Sequence, residues 1–148
     1  MATHRRKSFF ARHSLSLIAV ALLLTWIVGY QCLDPKTHVG AFFGNAIADW
    51  SGSVIIIIGT KFLYEVGSAE SRPVKIKEYP AWRNALHRHS LLLFIIITGI
   101  GWALLFARMN PDSKWGQVVG NIVSEWVQMA GLVFLTKRLV EIGSKESR

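Results

Sequence analysis

From Ser14 to Leu33 the chain carries no charged side chain, and from Ser90 to Ala107 it again carries none. Val39 to Thr60 contains one, Asp49, and Trp115 to Thr136 contains one, Glu125. Runs this long and this apolar leave few options. A helix needs about 20 predominantly apolar residues to cross a bilayer core of about 30 Å. Strands of a membrane barrel would alternate in polarity, and these runs do not. The expectation is an all-α membrane protein. Its four transmembrane helices would cover about 14–33, 39–63, 90–107 and 115–139, within one integral membrane domain of residues 1–148.

The net charge is +8, which by itself could indicate nucleic-acid binding. The placement of the charges argues for topology instead. Of the 17 Lys and Arg residues, 14 flank the spans on the side of the two termini; Lys36, Arg108 and Lys114 lie on the other. Cytoplasmic flanks are enriched in Lys and Arg. Both termini are therefore expected in the cytoplasm, with the chain a multi-pass protein of the plasma (inner) membrane. The expected partner is the lipid bilayer, with some attraction to anionic lipid, and not nucleic acid. The basic head and first apolar run also resemble a signal peptide, but no small-x-small cleavage site follows near "GYQCLDP". Cys32 is the only cysteine, so no internal disulfide can form.

A shift of 76 residues lays one half of the chain over the other without a gap. "RHSLSL" at 12–17 meets "RHSLLL" at 88–93, and "GTKFLYEVGSAESR" at 59–72 meets "LTKRLVEIGSKESR" at 135–148. Over the 61 aligned positions 20 are identical, which points to a duplication. Repeat 1 (12–72) and repeat 2 (88–148) would each be a helical hairpin, joined by a linker at 73–83 whose prolines oppose a continuous helix. Two spans return the chain to the same side. The tandem hairpins would then run parallel, related by a pseudo-twofold axis along the membrane normal.

Loop signals fix the hairpins more finely. "DPKT" at 34–37 and "NPDS" at 110–113 place Asp or Asn before Pro. This predicts N-caps at Asp34 and Asn110 and helix starts at Pro35 and Pro111. Gly67 and Gly143 are the expected C-caps. Gly40 and Gly44, like Gly116 and Gly120, form small-xxx-small sites that permit close helix approach, within the hairpins or between copies. Lys61 with Glu65, and Lys137 with Glu141, have the spacing of exposed i,i+4 ion pairs in a solvated inner cap. A docking surface is the alternative for these recurring endings.

"GNAIADW" and "GNIVSEW" raise the functional question. Each copy places an acid one turn after an Asn and directly before a Trp, and Ser53 or Gln128 continues the polar face inward. A charged residue inside a span is costly and usually faces a cavity or a partner. At about 1.5 Å per residue, Asp49 lies about 18 Å outward from Lys61. The plain reading is a protonated acid acting as helix glue. The sharper one gives Asp49 and Glu125 to a proton or a hard cation, with Asn45 and Asn121 adding carbonyl oxygens and Trp50 and Trp126 offering cation–π faces. The two acids are expected to face one another near the pseudo-axis.

No nucleophile–base pair, phosphate loop or zinc spacing is present, so no enzyme activity and no cofactor are expected. The leading expectation is a channel or transporter-like protein for a proton or small cation, as a homo-oligomer or within a larger membrane complex. The alternative is a non-transporting accessory or scaffold subunit whose polar stripe binds a partner membrane protein.

Overall fold

The computed structural model describes residues 9–71 and 80–139. Five helices are present among them: α1 (Phe9–Gln31), α2 (His38–Phe62), α3 (Ala81–Arg88), α4 (Ser90–Phe106) and α5 (Lys114–Leu135). The all-helical class is the one expected. Helices α1, α2 and α5 have 23, 25 and 22 residues and are apolar enough to cross a membrane. At 17 residues α4 is equally greasy but shorter, about 26 Å. The short α3 was not expected. It overlaps the end of the 73–83 linker, with Pro80 at its N-cap; residues 72–79 lie outside the described residues.

The helices pack in the spatial order α1–α2–α5–α4, so α2 and α5 form the centre. Tyr30, Ile47, Leu91, Ile95, Ile122, Trp126 and Val133 belong to one buried cluster. A Cβ on Gly44 would meet the ring of Tyr30 at 3.4 Å, and one on Gly120 the ring of Phe106 at 3.1 Å. The small residues thus seat an aromatic ring of the preceding helix. Gly40 and Gly116 pack still closer, against the backbone carbonyls of Asp34 and Asn110 in their own loops. Of the four glycines expected at helix contacts, Gly44 and Gly120 meet a neighbouring helix, whereas Gly40 and Gly116 meet their own loops.

The starts of α2 and α5 correct the expected caps. Thr37 and Ser113 are the N-caps, each accepting a hydrogen bond from the backbone N–H three residues on, Gly40 and Gly116. Asp34 and Asn110 instead receive the N–H of Lys36 and Asp112 at 2.9 Å, closing an Asx turn around the proline. An Asx side chain satisfied in a turn is not available to cap a helix. The helix ends differ too. α2 stops at Phe62 with Leu63 as C-cap, and α5 at Leu135 with Thr136 as C-cap. Gly67 does adopt a left-handed conformation (φ 83°), but in the turn that follows the helix. Gly143 lies outside the described residues.

Polar clasps join the halves at both ends of the central pair. At one end, the Tyr30 hydroxyl donates to the Lys114 carbonyl at 2.9 Å. The Lys114 ammonium donates to the carbonyls of Gln31 (3.1 Å) and Leu33 (2.6 Å), which α1 leaves free at its C-terminus. At the other end Glu65 is fully buried. Its Oε1 accepts from Lys137 Nζ at 2.9 Å and from His89 Nδ1 at 2.6 Å. This corrects the expected Lys61–Glu65 pair. Once α2 has ended at Phe62, Glu65 is no longer one helical turn from Lys61, and Lys61 Nζ lies 3.1 Å from His13 Nδ1 instead. Glu141 lies outside the described residues. Ser68 and Ser71 are also buried, Ser68 against Thr136 (3.1 Å) and Ser71 in reciprocal bonds with the Glu65 backbone. The segment 63–71 is therefore a packed plug and not a solvated cap. His89, between α3 and α4, is tied into it.

Candidate functional site

The site sits where α2 meets α5. Asn45 and Asp49 share one face of α2, four residues apart, and Asn121 and Glu125 share one face of α5. The helices cross so that these faces meet. Asn121 Nδ2 donates to Asn45 Oδ1 at 2.6 Å, joining two residues 76 positions apart. One turn inward, Asp49 and Glu125 line the same two hollows from opposite helices. Small residues bring the helices this close: a Cβ on Gly52 of α2 would stand 3.6 Å from Glu125 Oε2 and 3.5 Å from the sulfur of Met129.

Two hollows share the acids. One of about 260 Å³ is lined by Asn45, Asp49, Asn121, Ser124 and Glu125. The other, of about 390 Å³, continues inward past Gly52, Ser53 and Gln128 onto Ile56 and Leu132. Both open sideways, onto one face of the chain. Asn45, Asp49, Ser53, Asn121, Ser124 and Gln128 are exposed, and Glu125 is half-buried. The apolar lining of the larger hollow comes from Ile56, Ile57, Met129 and Leu132.

Four of the six residues expected at an ion or proton site thus come together: Asp49, Glu125, Asn45 and Asn121. The two tryptophans do not. Each follows its acid by one residue, which on a helix turns it about 100° away. Trp126 is buried on the far side of α5, donating from Nε1 to Thr98 Oγ1 at 2.8 Å and lying edge-on to Trp102. It lines a separate apolar hollow of about 270 Å³ beside Gly99. Trp50 lines neither acid hollow. Trp126 thus packs against α4. Among the described residues, no three His, Cys, Asp or Glu side chains gather as metal ligands would.

Sequence reasoning did not foresee the Glu65–His89–Lys137 cluster, and it left open whether the acid stripe faces the pseudo-axis or a partner. A signal for the first was present, since "TK", "E.GS" and "ESR" recur in both halves. No signal for the second exists in one sequence, because the same polar stripe serves an enclosed axis or an open face. No protein-family model matches the chain, and no curated protein or solved structure shows significant similarity to it.

Proposed function

We propose that the chain is a multi-pass membrane subunit whose α2–α5 polar face binds a partner membrane protein. The observation that carries this reading is the exposure of Asn45, Asp49, Ser53, Asn121, Ser124 and Gln128 along the middle of two helices of membrane-spanning length. In a bilayer such a face would meet hydrocarbon. Polar groups there are costly unless a protein neighbour or water covers them. A photo-crosslinking side chain at Ser53 should give adducts of defined mass in native membranes, and one at Ile97, on an exposed apolar face, should not. Identical patterns from both positions would remove the reading.

In this proposal α4 is the fourth span, and the chain is two tandem hairpins related by a pseudo-twofold axis along the membrane normal. Contacts related by the 76-residue shift support it. Tyr30 on Gly44 matches Phe106 on Gly120, and Asn45 meets its own counterpart, Asn121. The Lys and Arg asymmetry puts both termini in the cytoplasm of a plasma (inner) membrane protein. Reporter fusions should show a cytoplasmic C-terminus and an external 34–38 loop. An external C-terminus would contradict this topology.

The second reading is a proton or small-cation pathway completed by oligomerisation. The convergence of two carboxyls and two amide side chains on one hollow favours it, because oxygen donors gathered in this way suit a proton or a hard cation. Asp49→Asn would then abolish proton or cation flux in liposomes while the fold persists. Unchanged flux, or none from the unmodified protein, would leave the docking reading alone.

A further inference from the structure

We infer that the occupant of the polar face is a transmembrane helix of a different chain carrying a Lys or Arg at the depth of Asp49 and Glu125. The inference rests on the docking reading and names the chemistry of the partner. Both carboxylic acids line one open hollow, with the Asn45–Asn121 pair one turn outward and Ser53 and Gln128 about one turn inward. A basic head group entering there supplies a counter-charge to both acids. An ammonium has three donors and finds two carboxyls and an Asn carbonyl oxygen within one turn. Pairing with an opposite charge is the usual way an intramembrane acid is satisfied.

Charge decides against a second copy of this chain as the occupant. None of the four apolar runs contains a Lys or Arg; every basic residue lies at or beyond their ends. Lys114, at the start of α5, is already bound to Gln31 and Leu33. Two copies placed face to face would therefore gather four carboxyls around one centre with no counter-charge. The complementary charge must come from elsewhere, at about 18 Å from the Lys61 end, by the rise of about 1.5 Å per residue over 12 residues. The helix bearing it also needs small residues beside the Lys or Arg, so that its backbone can approach the α2–α5 face closely.

Cys32, the sole and exposed cysteine, allows the full chain to be labelled at one position for energy transfer in lipid bilayers. The probes are synthetic transmembrane peptides of Leu and Ala with one central Lys, and the same peptide with Leu at that place. The Lys peptide should associate about tenfold more tightly than the Leu peptide. Glu125→Gln, close to isosteric, and Asp49→Asn should each remove most of that difference while circular dichroism stays unchanged. The comparison of peptides on the unmodified chain needs no variant, so misfolding of either variant cannot obscure it. Equal association of Lys and Leu peptides would overturn the inference. If both then bind at the polar face, with Ser53→Leu weakening both, docking stands and the basic partner falls. If neither binds, and donor- and acceptor-labelled copies pair in a way that Ser53→Leu abolishes, a second copy is the occupant and both proposals fail.

Discussion

Glu65→Ala is expected to destabilise the protein by about 3 kcal/mol, the low end of the range for removing one partner of a buried ion pair. Glu65 is completely enclosed, whereas the side chain of Lys137 keeps 22% of its exposure and that of His89 keeps 42%. The abandoned ammonium is therefore only partly stranded, which keeps the loss from the upper end. The carboxylate also holds a position in the chain: its Oε2 accepts from the Leu92 N–H at the start of α4 at 3.4 Å. Glu65→Gln retains that acceptor and should lose less. Lys137→Ala leaves the acid with His89 alone. Unfolding by denaturing detergent, run as a Glu65/Lys137 double-mutant cycle, measures the coupling. Additive losses would mean that the two side chains do not depend on one another.

Gly116→Ala and Gly40→Ala should each cost about 2 kcal/mol, in the range for overpacking a close contact. A methyl group at Gly116 would be driven into the Asn110 carbonyl and would stand 2.7 Å from Ser113 Oγ, the cap of its own helix. At Gly40 the obstacle is the Asp34 carbonyl. Neither carbonyl can swing aside without opening the Asx turn. Gly101 and Gly131 provide the control, since nothing lies within 4 Å of a Cβ added at either. Alanine there should be neutral or gain up to about 1 kcal/mol of helix propensity. Equal melting temperatures for Gly116→Ala and Gly101→Ala would show that the turns yield.

These two regions also mark how far the sequence could be read. Three of the long helices follow directly from apolar length, because composition alone decides whether a segment can be buried in lipid. The cap error at Asp34 and Asn110 has a local cause. Asx–Pro suits both an N-cap and an Asx turn, and the choice depends on whether a hydroxyl three residues later is placed to cap instead. Thr37 and Ser113 are so placed. Glu65 escaped for the opposite reason. Its partners lie 24 and 72 residues away, and an i,i+4 pattern with Lys61 offered a nearer explanation. Asp49 and Glu125 were legible as a pair because each follows an Asn by one turn and precedes a Trp at matching positions of the two similar halves of the sequence. Which side of the pair stays open was not, since that depends on how α1 and α4 lean against the central helices.

The clasps of Tyr30 with Lys114 and of Glu65 with Lys137 lie at opposite ends of the α2–α5 pair, with the acids between them. A beam pinned at both ends cannot tilt. For the two hairpins to scissor, so that the acids faced first one side of a bilayer and then the other, one set of pins would have to be withdrawn on every cycle. At the plug this means parting a buried carboxylate from its ammonium; at the other end it means uncovering the last carbonyls of α1. In the docking reading proposed above, the two clasps would make the central pair a stationary mount that offers the acids to a neighbour.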